Sequence, residues 1–287
     1  MRPIPIFDTN VFGDVQLVIS PKDWRYLIRH RPSRGCPLSQ VTALELLAGV
    51  HAGNSQGFLD AKQRIALAFG LSRGRVLEDP RSLLCEEVLH IPFPTENPVP
   101  SPTDVSKHLD GIRRIKSWEH LQRIGLPTST FAEVMAGPKQ SWMQGVELMA
   151  DKISPGWRQL EKVTGRRLPP EKRREVKPQS AWHAARPELV KALLDSLRAS
   201  AAPKTVSRLC EKLDAVLAFT IWVAREFLLG SYKHDQHESD VFDQFQLRYL
   251  AMDRFVVVSA DGDLLTRIQK SSQAARIMSF DQFLRTL

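Results

Sequence analysis

The sequence predicts an α/β fold, a three-layer parallel sheet formed by both chain ends and interrupted by a mostly helical insertion. Three observations lead there. Phe255 to Ser259 (FVVVS) is a short β-branched run framed by Asp253-Arg254 and Asp261-Gly262, the pattern of a buried strand. At the opposite end of the chain, Pro3 to Phe7 is an apolar run cut off by Asp8-Thr9-Asn10. Between them, from about residue 53 to about residue 230, helical periodicity dominates and strand signals are almost absent.

Taken in chain order, Pro3 to Phe7 is the first strand, and Ser20-Pro21-Lys22-Asp23 reads as a helix start with proline at the first helical position. A second strand is expected near Cys36 to Val41, leading into the helix that carries Glu45 in its first turn. Val105, Leu109, Ile112, Ile115 and Trp118 mark one helix of the insertion, and Val206, Leu209, Leu213, Val216 and Leu217 another. Proline-rich joints at Ile91 to Pro102 and at Pro169-Pro170 separate such pieces. A loosely periodic helical stretch, Val241 to Met252, precedes the FVVVS strand. A last strand at Arg276 to Met278 and a helix at Phe280 to Leu287 follow it. Strands alternating with helices call for parallel pairing. The expected division is a discontinuous core, residues 1–52 and 231–287, with helices near 53–69 and 204–230 packing on it. Residues 70–203 form the insertion.

Composition is that of a folded globular chain, with 43% hydrophobic and 25% charged residues over 287 positions. The formal net charge of +8 favours a polyanionic partner. Cys36, Cys85 and Cys210 are too widely spaced for a Cys-x-x-Cys zinc knuckle and too odd in number for a disulfide framework, so they are expected to be reduced. No apolar signal core opens the chain, and the longest near-apolar run, Ala215 to Ala224, is too short for a bilayer span. These features predict a cytoplasmic protein with no membrane contact.

Side chains at the carboxyl ends of neighbouring parallel strands converge on one crevice. Asp8 follows the first strand and Asp261 lies two residues past the FVVVS strand. Asp240 and Asp243 share a helix face, and Glu45 follows the expected second strand. Five carboxylates are thereby aimed at one cleft. Anions held that close repel one another, and a hard divalent cation is the natural compensation. Such an ion lowers the pKa of water and neutralises charge developing on phosphorus, which is nuclease chemistry.

These residues resemble the PIN-domain nucleases, including VapC-like toxins. The family pattern places Asp-Thr-Asn after strand one, as in Asp8-Thr9-Asn10, and a hydroxyl residue before Glu-Leu in a helix, as in Thr42-Ala43-Leu44-Glu45-Leu46. A helix aspartate follows, here Asp243, and then Thr-x-Asp, here Ser259-Ala260-Asp261 with a further acid at Asp263. Two departures stand out: serine in place of threonine at position 259, and a large helical insertion that compact members lack. The resemblance covers roughly the first 50 and the last 57 residues. It implies catalysis by Asp8, Glu45, Asp243 and Asp261. One or two Mg²⁺ or Mn²⁺ ions would be held by these four together with Asp240 and Asp263. Thr9, Asn10 and Ser259 would orient carboxylates by hydrogen bonds. Phosphodiester hydrolysis by activated water would leave 5′-phosphate and 3′-hydroxyl ends. RNA is the expected substrate, and a toxin, defence or RNA-processing role is open, with an antitoxin or other protein partner and a homodimer as expected associations.

Other readings of the same residues stay open. Asp8-Thr9-Asn10 also fits a polar turn, Thr42 and Glu45 a capping box, Asp240 an N-cap, Asp261-Gly262 a turn and Asp263 a helix cap. Glu133 lies in an echo of the Glu45 motif, Thr130 to Gly137. His234-Asp235-Gln236-His237 fits a solvated loop better than a zinc site, because no Cys or third His lies nearby. Arg158 to Lys177 contains eight basic and three acidic residues, so Arg158, Lys162, Arg166, Arg167, Lys172, Arg173, Arg174 and Lys177 form either a solvated linker or a phosphate-tracking surface. Trp157 and Trp182 would stack on bases, whereas Trp118, Trp142 and Trp222 belong to the core. Single-stranded or branched DNA is an alternative substrate, and a non-catalytic nucleic-acid-binding or assembly module an alternative class.

Overall fold

A computed structural model describes residues 3–18, 36–51, 55–94, 100–124, 142–150, 184–232 and 240–286, with the single positions 29, 137 and 140. The expected helix start at Ser20, Glu133, Pro169-Pro170, the basic segment Arg158 to Lys177, Trp157, Trp182 and His234 to His237 lie outside the described residues.

Three strands form a parallel sheet in the order β1 (Ile4–Phe7), β2 (Phe255–Ser259) and β3 (Ile277–Ser279). Ile4 pairs with Phe255 and Phe7 with Val258, while Ser259 pairs with Ser279. Chain ends some 250 residues apart therefore share one ladder. β2 is the central strand and all five of its residues are buried. A strand flanked on both edges and covered on both faces has no solvent face, which is why FVVVS shows no polar alternation. Arg276 secures the start of this strand, donating to the carbonyls of Leu250, Met252 and Phe255 at 2.7, 2.7 and 2.8 Å. Phe7 packs edge-on against Phe283 of the closing helix, centroids 5.0 Å apart.

The rest of the described chain is mainly helical. Asp214–Leu229 is buried over most of its length, and Gly230 ends it at φ 74°, a left-handed conformation that suits a residue without Cβ. Buried apolar residues form one cluster that joins Ile6 and Val257 to Leu109, Val190 and Leu209. The described helices of the expected insertion thus share the core of the sheet. Trp142 is buried, and Trp118 and Trp222 pack against that core. None of the three cysteines forms a disulfide. Among the described residues no helix is long and apolar enough to cross a membrane.

Several expected elements are corrected. Cys36 to Val41 is no strand: Leu38 makes a single parallel bridge to Val76. Pro37 has no amide to donate, and Ser39 already turns the chain as the N-cap of the helix Gln40–Ala48, accepting from the Thr42 amide. Glu45 consequently sits in the second turn, and the capping box with Thr42 does not form. The helix assigned to Val105 through Trp118 is two, Pro102–Arg114 and Trp118–Ile124, because Ile115 takes an extended backbone. Likewise Val206 through Leu217 divides at Leu213 into Pro203–Lys212 and Asp214–Leu229. Val241 to Met252 is the helix Asp240–Leu247 with a 3₁₀ turn, Arg248–Ala251. The last strand runs one residue later than expected, and the closing helix, Phe280–Leu284, carries a capping box from Ser279 and Gln282.

Candidate active site

Asp8 is positioned by the sheet itself. Its amide donates to the Val258 carbonyl at 2.9 Å, continuing the ladder one residue beyond β1. The preceding carbonyl, of Phe7, accepts from Thr42 Oγ1 at 2.8 Å and from Gln246 Nε2 at 3.5 Å. Gln246 Oε1 in turn accepts from Ser39 Oγ at 2.6 Å. These buried bonds tie two helices, Gln40–Ala48 and Asp240–Leu247, to the carboxyl end of β1. The first carries Glu45 and the second Asp243.

Asp8 and Asp243 are each only 4% exposed. Ser259 Oγ donates to Asp8 Oδ2 at 2.9 Å, Asn10 Nδ2 to the same oxygen at 3.2 Å, and the Thr9 amide to Oδ1 at 2.7 Å. Burial nevertheless lifts the Asp8 carboxyl from 3.8 to about 6, with the Asp261 charge adding to it against those hydrogen bonds. Asp243 is held well above the ordinary carboxylate value, first by burial and then by the charges of Asp8, Asp240, Glu45 and Asp261. Asp243 is the acid that feels the other four expected at the cleft, whereas Asp8 feels chiefly Asp261. Among the described residues no Lys, Arg or His forms an ion pair with Asp8 or Asp243.

The individual acids differ in their commitments. Asp240, 3% exposed, is bound by Arg267 Nη1 at 2.8 Å, and the guanidinium lies 4.5 Å from the Trp222 ring centroid. Tyr232 also bonds to Asp240, and burial followed by that negative charge pushes its phenol above the ordinary value. Glu45 Oε2 accepts from Thr9 Oγ1 at 2.5 Å, so the residue after Asp8 orients the glutamate. Asp261 is the N-cap of the helix Gly262–Ile268, its Oδ1 accepting from the amides of Asp263 and Leu264 at 2.7 and 3.2 Å. Asp263 is exposed in the first turn of that helix and is not its cap, and it is not among the main causes of the shifts of Asp8 or Asp243. Sequence reasoning missed Arg267, Gln246 and Ser39; a serine before an apolar helical run is the N-cap signal that could have found Ser39, and no local pattern marks the other two.

Among the described residues no group of three or more His, Cys, Asp or Glu side chains is placed to hold a metal ion. The candidate donors are all carboxylate oxygens, and among the described residues no Lys, Arg or His pairs with the two buried ones, on Asp8 and Asp243. Oxygen-only donor sets of this kind suit Mg²⁺ or Mn²⁺, which keep part of their shell for water and substrate. In comparisons with family models, with curated proteins and with solved structures, nothing matches this chain.

Proposed function

We propose that the protein is a Mg²⁺- or Mn²⁺-dependent endonuclease built on a three-layer core of the PIN type, with RNA as the substrate. One observation carries this reading. Two buried carboxylates that no described cation pairs with, Asp8 and Asp243, lie within electrostatic reach of each other near the carboxyl end of β1, in a parallel sheet whose strands come from opposite ends of the chain. Uncompensated buried charge destabilises a fold, so its presence calls for a functional reason, and raised carboxyl pKa values in a cleft are a mark of functional sites.

Asp8, Glu45, Asp243 and Asp261 are the residues that would hold the ion; Asp240, engaged by Arg267, is left to shape the field around Asp243. When bound, the ion supplies Lewis acidity toward phosphoryl oxygens and a lower pKa for water. The chain's own residues do the positioning. Ser259 and Asn10 fix the Asp8 carboxylate, Thr9 fixes Glu45, and helix amides fix Asp261. The net charge of +8 favours a polyanionic partner for the molecule as a whole, and a bound cation would offset the repulsion of the acidic cleft itself. Hydrolysis by activated water requires no 2′-hydroxyl, so the direct test is cleavage of end-labelled RNA and single-stranded DNA in Mn²⁺. RNA is expected to be cut and EDTA to stop it; DNA cut in place of RNA would reassign the substrate, and neither cut at any metal concentration would overturn the enzyme.

Thr9→Val removes the hydroxyl that orients Glu45 while keeping the side-chain volume. Loss of an orienting hydrogen bond of this kind lowers metal affinity or rate by about 10- to 100-fold. The expected result is a higher Mn²⁺ concentration for half-maximal cleavage, and an unchanged metal dependence would remove Thr9 from the site.

The raised Asp8 value makes stability depend on pH. The folded chain keeps a proton on Asp8 that the unfolded chain has released, so this group favours folding most below pH 3.8. Its contribution declines by about 3 kcal/mol as the pH rises through about 6. A bound cation offsets the repulsion among the ionised acids. Mn²⁺ at a hundred times its Kd should add about 2.7 kcal/mol, roughly 5–10 °C in Tm for a chain of this size. Calorimetry at pH 7.5 and pH 5 measures both effects: the Mn²⁺ shift should be large at the higher pH and small at the lower. Equal shifts would mean that Asp8 does not see the ion.

A further inference from the structure

A cavity of about 250 Å³ lies between the helices Arg186–Ser196 and Asp214–Leu229 and the helical stretch 142–150, and none of the five acids lines it. Its walls are apolar, contributed by Trp142, Leu189, Val190, Leu193, Val216 and Leu217. Its polar side is different in kind. Arg248 Nη2 donates to Gln244 Oε1 at 3.0 Å, and Gln244 Nε2 to Thr220 Oγ1 at 3.4 Å. The guanidinium lies 4.2 Å from the Phe245 ring centroid, yet Arg248 Nε is fully buried with no acceptor. Neighbouring Arg81 is already paired with Asp79 at 3.0 Å, whereas among the described residues no carboxylate forms an ion pair with Arg248. Burial first, and Arg81 second, draw its guanidinium down to about 10.

We propose that this cavity is a binding site for a small apolar carboxylic acid, with its carboxylate on Arg248 and its body among the apolar side chains. Arg248 is partly exposed and bonded to Gln244, and a guanidinium without a carboxylate partner keeps a donor that an incoming carboxylate can accept from, as a charge-assisted hydrogen bond. The volume corresponds to roughly eight water-sized units, the scale of a short fatty acid or a single-ring aromatic acid. Mostly apolar walls with a few convergent polar groups are the usual make-up of small-molecule sites. The site is separate from the acidic cleft, and it stands or falls independently of the nuclease reading.

Gly145 supplies a clean block. It lines the cavity, and a Cβ added there meets nothing within 4 Å, so Gly145→Phe adds a ring at the cavity wall without a backbone clash. The test is isothermal titration of the full chain with sodium octanoate, alongside 1-octanol as the uncharged counterpart. Octanoate is expected to bind, octanol at least tenfold more weakly, Arg248→Gln to lose at least tenfold in octanoate affinity, and Gly145→Phe to lose binding altogether. Circular dichroism confirms that both variants are folded. No heat from octanoate overturns the proposal. Equal binding of octanol overturns the role of Arg248, and undiminished binding to Gly145→Phe places the ligand elsewhere on the surface and overturns the site.

Discussion

Asp8→Asn is expected to slow cleavage of end-labelled RNA in Mn²⁺ by about a thousandfold, because an ion's stabilisation of transition-state charge is worth several kcal/mol and each 1.4 kcal/mol is tenfold in rate. The substitution is nearly isosteric, so the Thr9 amide and the Ser259 hydroxyl still have a polar partner at position 8. The fold should survive and gain stability at neutral pH. Asp8 raised to about 6 means that its ionised form is disfavoured by the buried environment, and the amide removes that penalty along with the repulsion exerted on Asp243. Loss of activity with a higher Tm is the signature of a group retained for chemistry. Asp261→Asn is expected to lose activity without that gain, since Asp261 is half-buried and caps the helix Gly262–Ile268. Steady-state cleavage and thermal melts of the same preparations read both quantities. Undiminished cleavage by Asp8→Asn would remove the carboxylate from the reaction, and a lowered Tm would show that its charge supports the fold.

The two apolar runs at the chain ends were legible because a parallel strand buried on both faces is continuously apolar, and the two pair in the structure. Their polar endings, Asp8-Thr9-Asn10 and Ser259-Ala260-Asp261, lie side by side as the shared register requires. The segment Cys36 to Val41 misled for a local reason: it has strand composition, but Pro37 cannot donate and Ser39 caps a helix sooner than its apolar neighbours suggest. Helix junctions at Ile115 and Leu213 were invisible because apolar periodicity runs on across them, while the breaks are set by backbone conformation. The interactions that fix the acids were harder still. Gln246 to Ser39 and Arg267 to Asp240 link positions 207 and 27 residues apart, and no local spacing encodes such a pair.

On the proposed function, the ion pair between Arg267 and Asp240 leaves Asp243 as the helix acid for the site, and Arg267→Met tests it. The side chains are 5% and 4% exposed, so removing the guanidinium leaves a buried, unpaired carboxylate one helical turn from Asp243. Breaking a buried pair from one side costs about 3–5 kcal/mol, because the remaining charge keeps its desolvation penalty and loses its partner. Met retains much of the contact with Trp222 and Phe219 that the arginine stem and guanidinium make. Charge is then the main change. Chemical denaturation of the single variant should show the full loss, and adding Asp240→Leu to it should recover most of the stability, since an apolar pair of similar volume is often as stable as the ions it replaces. Failure of the second substitution to rescue would mean that packing around Arg267, rather than charge, sets the cost. The rescued double variant also answers the functional question. Asp240 is assigned to the scaffold, so cleavage by the double variant should stay within about tenfold of the parent, the lower range for an orienting partner. A loss near that of Asp8→Asn would instead make Asp240 a ligand and move Asp243 to the supporting role, since a carboxylate cannot both hold the ion and be dispensable to catalysis.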